Sequence, residues 1–200
     1  MTDPHQDVLD DQPDVYQPAE DSELLAATAA DYLVGGEVVL DVGTGSGYVA
    51  ERVADATGAR VVGADRNPHA CRQARDRGVE AVRADLVGPF RDGAFDAVLF
   101  NPPYLPTDPD REWSDWMELA LSGGETGRRV IEPFVRAVPR VLAPEGRVFL
   151  LVSTLTGVDA VRNLARTAGL TTEIVAEESH PFEKLVVLRL VKITPKHNPD

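Results

Sequence analysis

The heptapeptide DVGTGSG at 41–47 places Gly43, Gly45 and Gly47 between a strand-like run and a helix-like one. Glycines in that position let backbone approach a nucleotide-bearing ligand closely. A dinucleotide site is the competing reading, but its spacing would be GxGxxG, and here it is GxGxG with Asp41 ahead. The pattern points to S-adenosylmethionine. That ligand has no pyrophosphate to seat on a helix N-terminus, and its ammonium and sulfonium are cationic, so a carboxylate beside the turn attracts it. Asp65 ends the next strand-like run, where its two oxygens could accept both ribose hydroxyl protons; the alternative is an ordinary acid flanking the helix that starts near Asn67. Asp85, in RADL, ends a third run and could accept from an adenine amino group while Leu86 covers the ring edge, or it could be a simple turn acid.

A second constellation, Asn101-Pro102-Pro103-Tyr104, follows the apolar run FDAVLF. A planar NH2 group is a poor nucleophile because its lone pair is delocalised into the adjacent π-system. A catalyst must hold it so that the lone pair points at an incoming methyl group. The Asn101 carbonyl and the backbone carbonyl of Pro102 could each accept one N–H, and consecutive prolines stiffen the turn. Tyr104 could pack on the planar group. Such a site works by positioning and by stabilising developing positive charge, without a strong base. A bare proline-rich turn is the alternative.

The elements that must carry these groups alternate. EVVLDVG, RVVGAD, VEAVRAD, FDAVLF and GRVFLLVS read as strands, and helices are expected at YVAERVADATG, at HACRQARDRG behind an Asn67 cap, over 128–142 and over 158–168. This is α/β with a parallel sheet. TTEIVAEE and KLVVLRL are joined only by SHPFE, a link so short that the two must be antiparallel. A seven-stranded, mostly parallel Rossmann-like sheet with a C-terminal antiparallel hairpin and helices on both faces is the class I methyltransferase pattern.

Two hundred residues suit one domain, expected over 15–192, with polar tails at 1–14 and 193–200 that lack packed structure. No run approaches the roughly 18 apolar residues of a membrane span, Cys71 has no intrachain partner, and the N-terminus has no signal-peptide character, so a cytoplasmic location is expected. The formal charge of −13, from 20 basic and 33 acidic residues, would argue against a phosphate-rich partner. Only Lys184, Lys192 and Lys196 are lysines, a balance that also suits a salty cytoplasm where surface fields are screened. The four histidines and Cys71 show no metal-ligand spacing, so no metal is expected. Pro133 lies in a segment that should be helical and implies a kink or a late helix start.

VYQPAEDSELL at 15–25, DVGTGSGYVA, NPPY and LSGGETGRRVIEPF at 121–134 occur in that order. With them the chain resembles the HemK-like glutamine methyltransferases over about residues 15–191, in the short archaeal and eukaryotic branch that acts on class I translation release factors. The resemblance implies N5-methylation of the glutamine in a release factor's GGQ motif, with S-adenosylmethionine as cofactor. It implies Ser22 at the cofactor, with Tyr16 and Pro18 shaping the entrance; from the residues alone, this stretch could be only the cap of a helix over 21–33. It also implies a small zinc-containing activator protein paired with the edge strand Val79 to Ala84. Trp113 and Trp116 either line the substrate cleft or anchor the loop after NPPY. The rival readings are an adenine-N6 methyltransferase on DNA or RNA, a protein lysine methyltransferase and a non-catalytic cofactor-binding scaffold. A nucleic acid substrate is disfavoured because no recognition module or basic stripe is evident.

Overall fold

A computed structural model of the chain describes Val15, residues 19–107 and residues 116–193. Tyr16, Pro18, Trp113 and both expected tails lie outside them, apart from Ile193. Seven strands, β1 (Val38–Val42), β2 (Arg60–Asp65), β3 (Glu80–Arg83), β4 (Phe95–Phe100), β5 (Leu142–Ser153), β6 (Leu170–Ser179) and β7 (Lys184–Lys192), form one sheet in the order β3-β2-β1-β4-β5-β7-β6. The pairs from β3 through β5 are parallel, and β7 is antiparallel to both β5 and β6, as the short SHPFE link requires. The helices are α1 (Glu20–Ala30), α2 (Tyr48–Thr57), α3 (Pro68–Asp76), α4 (Trp116–Leu121), α5 (Ile131–Val141) and α6 (Val158–Thr167). Among the described residues no helix is long and apolar enough to cross a membrane.

The alternation of side chains along the central strands divides the core in two. Val39, Ala97, Leu99, Phe149 and Leu151 pack with residues of α1, α2 and α3. Leu40, Val98, Phe100 and Leu150 face the other way, against α5 and α6. FDAVLF is apolar on both faces because both faces are covered. Cys71 is buried in α3 beside Ala70 and Ala74.

Three boundaries differ from the sequence expectation. The helix expected over 128–142 begins late, at Ile131, which puts Pro133 in its first turn, where a missing N–H breaks no helical bond. Pro139 does fall inside the helix, two residues before it ends, and gives up one donor there. The strand expected from Gly146 starts at Leu142, because an irregular register between Phe95 and Ala97 lets β4 pair across the extra residues. Finally, α4 had no counterpart in the sequence reading.

Between β1 and β4 the chain order reverses: it moves outward from β1 through β2 to β3, then returns to the other side of β1. Such a switch point opens a crevice outside the carboxyl ends of the strands. Asp41 pairs with Leu99 and Val42 with Phe100, so the glycine turn after β1 and Asn101 after β4 emerge side by side.

Candidate active site

A cavity of about 290 Å³ lies at this switch point. Ser22, Asp41, Gly43, Gly45, Asp65, Asp85, Leu86, Asn101, Pro102 and Pro103 all line it, so residues spread over eighty positions of sequence meet in one place.

Gly45 has φ 54°, the left-handed region that L side chains rarely adopt, and a Cβ there would have no atom closer than 3.9 Å. Its glycine is needed for the turn and leaves open space in front of it. Gly47 is different. It lies outside the cavity lining, and a Cβ on it would stand 2.9 Å from the Ala74 Cα. Its missing side chain lets α2 start tight against α3. Gly63 does similar service in β2, where a Cβ would lie 2.8 Å from the Thr44 hydroxyl and methyl.

Thr44 turns that hydroxyl onto Asp41, donating to Oδ2 at 2.6 Å. Burial pushes the Asp41 carboxyl up to about 7, with the Asp65 charge adding to the rise and the Thr44 hydrogen bond opposing it. Asp65 is also raised by burial, against the hydrogen bonds that its oxygens accept from the backbone N–H of Asn67 at 2.8 Å and of Gly45 at 3.0 Å. Two buried carboxylates in one cavity are costly unless a cation or a set of donors comes to them. S-adenosylmethionine brings both, a cationic end and ribose hydroxyls. Asp85 stands further out, its side chain 71% exposed and 3.8 Å from the Arg66 guanidinium. Leu86 beside it has φ 50°, the left-handed region again, which costs a bulky residue about 1 kcal/mol and turns up mostly at functional sites.

At the β4 end, Asn101 continues the side-chain parity of Leu99, toward the face that α1 covers. Its Nδ2 donates to the Ser22 Oγ at 3.5 Å. Its Oδ1 is buried without a hydrogen-bond partner among the described residues. An orphaned buried amide oxygen costs about 1–3 kcal/mol unless something arrives to donate to it. Ser22 belongs to the site and does not cap the helix: α1 starts at Glu20 behind Ala19, which has no capping side chain, so the Ser22 side chain projects from the first turn.

Tyr104 is absent from the cavity lining; partly buried, it packs against the apolar cluster beneath α1 and α2. The segment after it is clasped to the SGG segment: Leu105 and Gly123 exchange backbone bonds at 3.1 and 2.8 Å with Leu121 and Leu105, and Thr107 donates to Gly124. Gly127 fits this clasp only as glycine, since a Cβ would come within 2.5 Å of the Tyr104 carbonyl oxygen. The clasp places Trp116 and Leu119 of α4 in the cavity wall, which agrees with the cleft-lining reading of Trp116. Tyr48, Val15 and Arg129 also line the cavity; each lies within one of the quoted motifs, but nothing in the motif singled it out as a site residue.

A family model described as a methyltransferase domain matches residues 39–124. A Methanocaldococcus jannaschii protein, named as a candidate protein N5-glutamine methyltransferase, is 36% identical over 182 residues, covering 88% of this chain and 91% of its own. Mouse Methyltransferase HEMK2 is 35% identical over 195 residues, 90% of either chain. Among solved structures, the Mtq2 chain of an E. cuniculi Mtq2–Trm112 complex, responsible for methylation of the eRF1 translation termination factor, superposes with a TM-score of 0.75 at 30% identity, over 90% of this chain and 99% of that one. Likeness on this scale, over nearly the whole of each relative, fits the carboxylate-lined cavity and the exposed need of Asn101 for a donor. The chain belongs to the HemK-like protein N5-glutamine methyltransferases, S-adenosylmethionine-dependent enzymes of the class I fold, in their short archaeal and eukaryotic branch.

Proposed function

We propose that this chain methylates the side-chain nitrogen of the glutamine in the GGQ motif of a class I release factor. The observation that carries the reading is the Asn101 Oδ1, buried and without a partner among the described residues, at the wall of a cavity that also holds Asp41 and Asp65. S-adenosylmethionine, when bound, supplies an electrophilic methyl group on a sulfonium. Asp41 favours its cationic end, Asp65 its ribose hydroxyls, and Asp85 with Leu86 its base. Asn101 Oδ1 and the Pro102 carbonyl each accept one N–H of the glutamine amide. That holds the amide plane fixed and turns the nitrogen lone pair out of the plane, toward the methyl carbon. The same two oxygens would stabilise the positive charge that develops on the nitrogen when it takes the methyl group in place of the departing sulfur. One of those protons then leaves to solvent, so no strong base is needed.

The glycines beside the glutamine have no side chains to obstruct a narrow cavity, whereas adenine in a duplex must first be flipped at a cost of a few kcal/mol. The exposed edge strand β3 is proposed to receive a small zinc-containing activator protein, and the reaction to take place in the cytoplasm, where release factors work. Asn101→Ala tests the chemistry directly. Cofactor affinity is expected to stay within about threefold while turnover of release factor falls by two orders of magnitude or about that. Turnover within threefold of wild type contradicts the positioning mechanism.

A further inference from the structure

We infer that Asp21 and Ser22 are positioning residues that fix which way the Asn101 amide faces. The inference rests on the proposed role of Asn101 as an acceptor. An asparagine amide is nearly symmetric in shape, so packing alone does not distinguish its oxygen from its NH2; only its hydrogen-bond partners do.

Here those partners form a directed chain. The Asp21 Oδ1 accepts the Ser22 backbone N–H at 2.6 Å and the Ser22 hydroxyl at 3.3 Å. An ionised carboxylate has no proton to return, so the Ser22 hydroxyl spends its single proton on Asp21 and presents only lone pairs to its other side. What faces those lone pairs at 3.5 Å is the Asn101 Nδ2. The Oδ1 must then point the opposite way, and there it is buried and unpartnered. Turning the amide over would set Oδ1 against the Ser22 lone pairs and aim an NH2 at the incoming NH2, donor against donor. Both Asp21 and Ser22 are less than a tenth exposed, so water does not readily take over this task. The sequence places Asp21 of PAEDS next to the serine in the first turn of α1, and the fold brings that turn over the end of β4.

The test uses the full chain with its release factor and compares Ser22→Ala, Ser22→Thr and Asp21→Asn with wild type. Ser22→Ala is expected to lower kcat about tenfold at saturating cofactor and to leave the S-adenosylmethionine Kd within about threefold; Ser22→Thr, which keeps the hydroxyl, restores kcat to within about threefold. Asp21→Asn, whose amide can donate to Ser22 and reverse the chain, is expected to lower kcat as well, and it serves as the deciding variant if Ser22→Ala fails to fold. A readout apart from activity is the Asn101 side-chain NH2 pair in the 15N spectrum, assigned by its loss in Asn101→Asp. The proton that faces Ser22 is expected to move to its free-amide position in Ser22→Ala and to keep its wild-type shift in Ser22→Thr. Wild-type kcat in Ser22→Ala with a dead Asn101→Ala overturns the positioning role and leaves the proposed function standing. A loss confined to cofactor Kd overturns it too, making Ser22 a plain cofactor ligand. Activity retained in Asn101→Ala is the separate failure of the underlying reading.

Discussion

The Asp65 carboxylate accepts the backbone N–H of Gly45 at 3.0 Å, so the end of β2 holds the glycine-rich turn that leaves β1. Its second oxygen takes the Asn67 N–H, which fixes the start of α3. One side chain thus shapes the turn and still faces the cavity. Asp65→Ala is expected to orphan both N–H groups, lowering stability by about 1–3 kcal/mol, and, on the proposed ribose role, to weaken S-adenosylmethionine binding at least tenfold through loss of two charge-assisted bonds. Calorimetry checks the affinity, and an unchanged Kd removes Asp65 from the ribose site.

Asp41 gives a pH dependence with a definite sign. Its folded-state carboxyl titrates near 7, above the ordinary value of 3.8, so between those values the native chain holds a proton that the unfolded chain has lost. Stability without cofactor therefore falls as pH rises from about 4 through about 7. Asp41→Asn keeps an oxygen for the Thr44 hydroxyl and has no charge to bury. It is expected to be more stable than wild type at pH 8, with the advantage fading by pH 5. Cofactor affinity should run the other way, rising through pH 7 in wild type as the ionised carboxylate attracts the cation, and staying flat in the variant. Thermal unfolding and calorimetry at the two pH values measure both.

Gly45 and Gly47 are two residues apart and should fail differently. Alanine at Gly45 finds open space, so Gly45→Ala is expected to fold, at some strain from its φ of 54°, and to lose cofactor affinity. Alanine at Gly47 collides with the Ala74 backbone, so Gly47→Ala is expected to lose about 1–3 kcal/mol of stability through the α2–α3 contact. Equal melting temperatures for the two variants would contradict this division of labour.

The same pair marks where reading the sequence stops. Spacing placed all three glycines at the ligand, and only the packing of α3 behind Gly47 separates turn geometry from ligand approach. The strands and their acidic ends were legible because apolar runs and turn residues lie close in sequence, whereas the edge position of β3 came only from the resemblance. A tetrapeptide does not say which of its side chains turns back to the core, as Tyr104 does here. Arg129 and Tyr48 lie in quoted motifs, but their place in the cavity wall, like that of α4, is set by contacts between distant segments that no motif spells out. The resemblance alone places Ser22 at the cofactor, with a helix cap as the alternative, and only the fold brings Asn101 opposite it.

The edge strand β3 is barer than its neighbours but not naked, since Arg75 donates from Nε at 3.1 Å and from Nη2 at 2.7 Å to the Ala81 carbonyl. Ala84 turns its N–H inward to Asp65, so by alternation Val82 also faces β2, while Ala81 and Arg83 face outward. A proline at Val82 would cut the β2 ladder. Ala81→Pro removes only an outward donor, which edge strands tolerate. It is expected to leave the melting temperature within a few degrees and to abolish co-purification with the activator protein, because a partner strand needs that N–H. Full-yield co-purification of Ala81→Pro contradicts strand pairing at this edge.

The central claim is tested most directly by incubating the enzyme and the proposed activator with release factor and labelled S-adenosylmethionine, and locating the label by mass spectrometry. The account expects one methyl group on the side-chain nitrogen of the GGQ glutamine, none on lysine, and no labelling of a Gln→Asn or Gln→Ala substrate, with DNA and RNA inert. Label on a lysine, or efficient labelling of nucleic acid without any protein substrate, would contradict it.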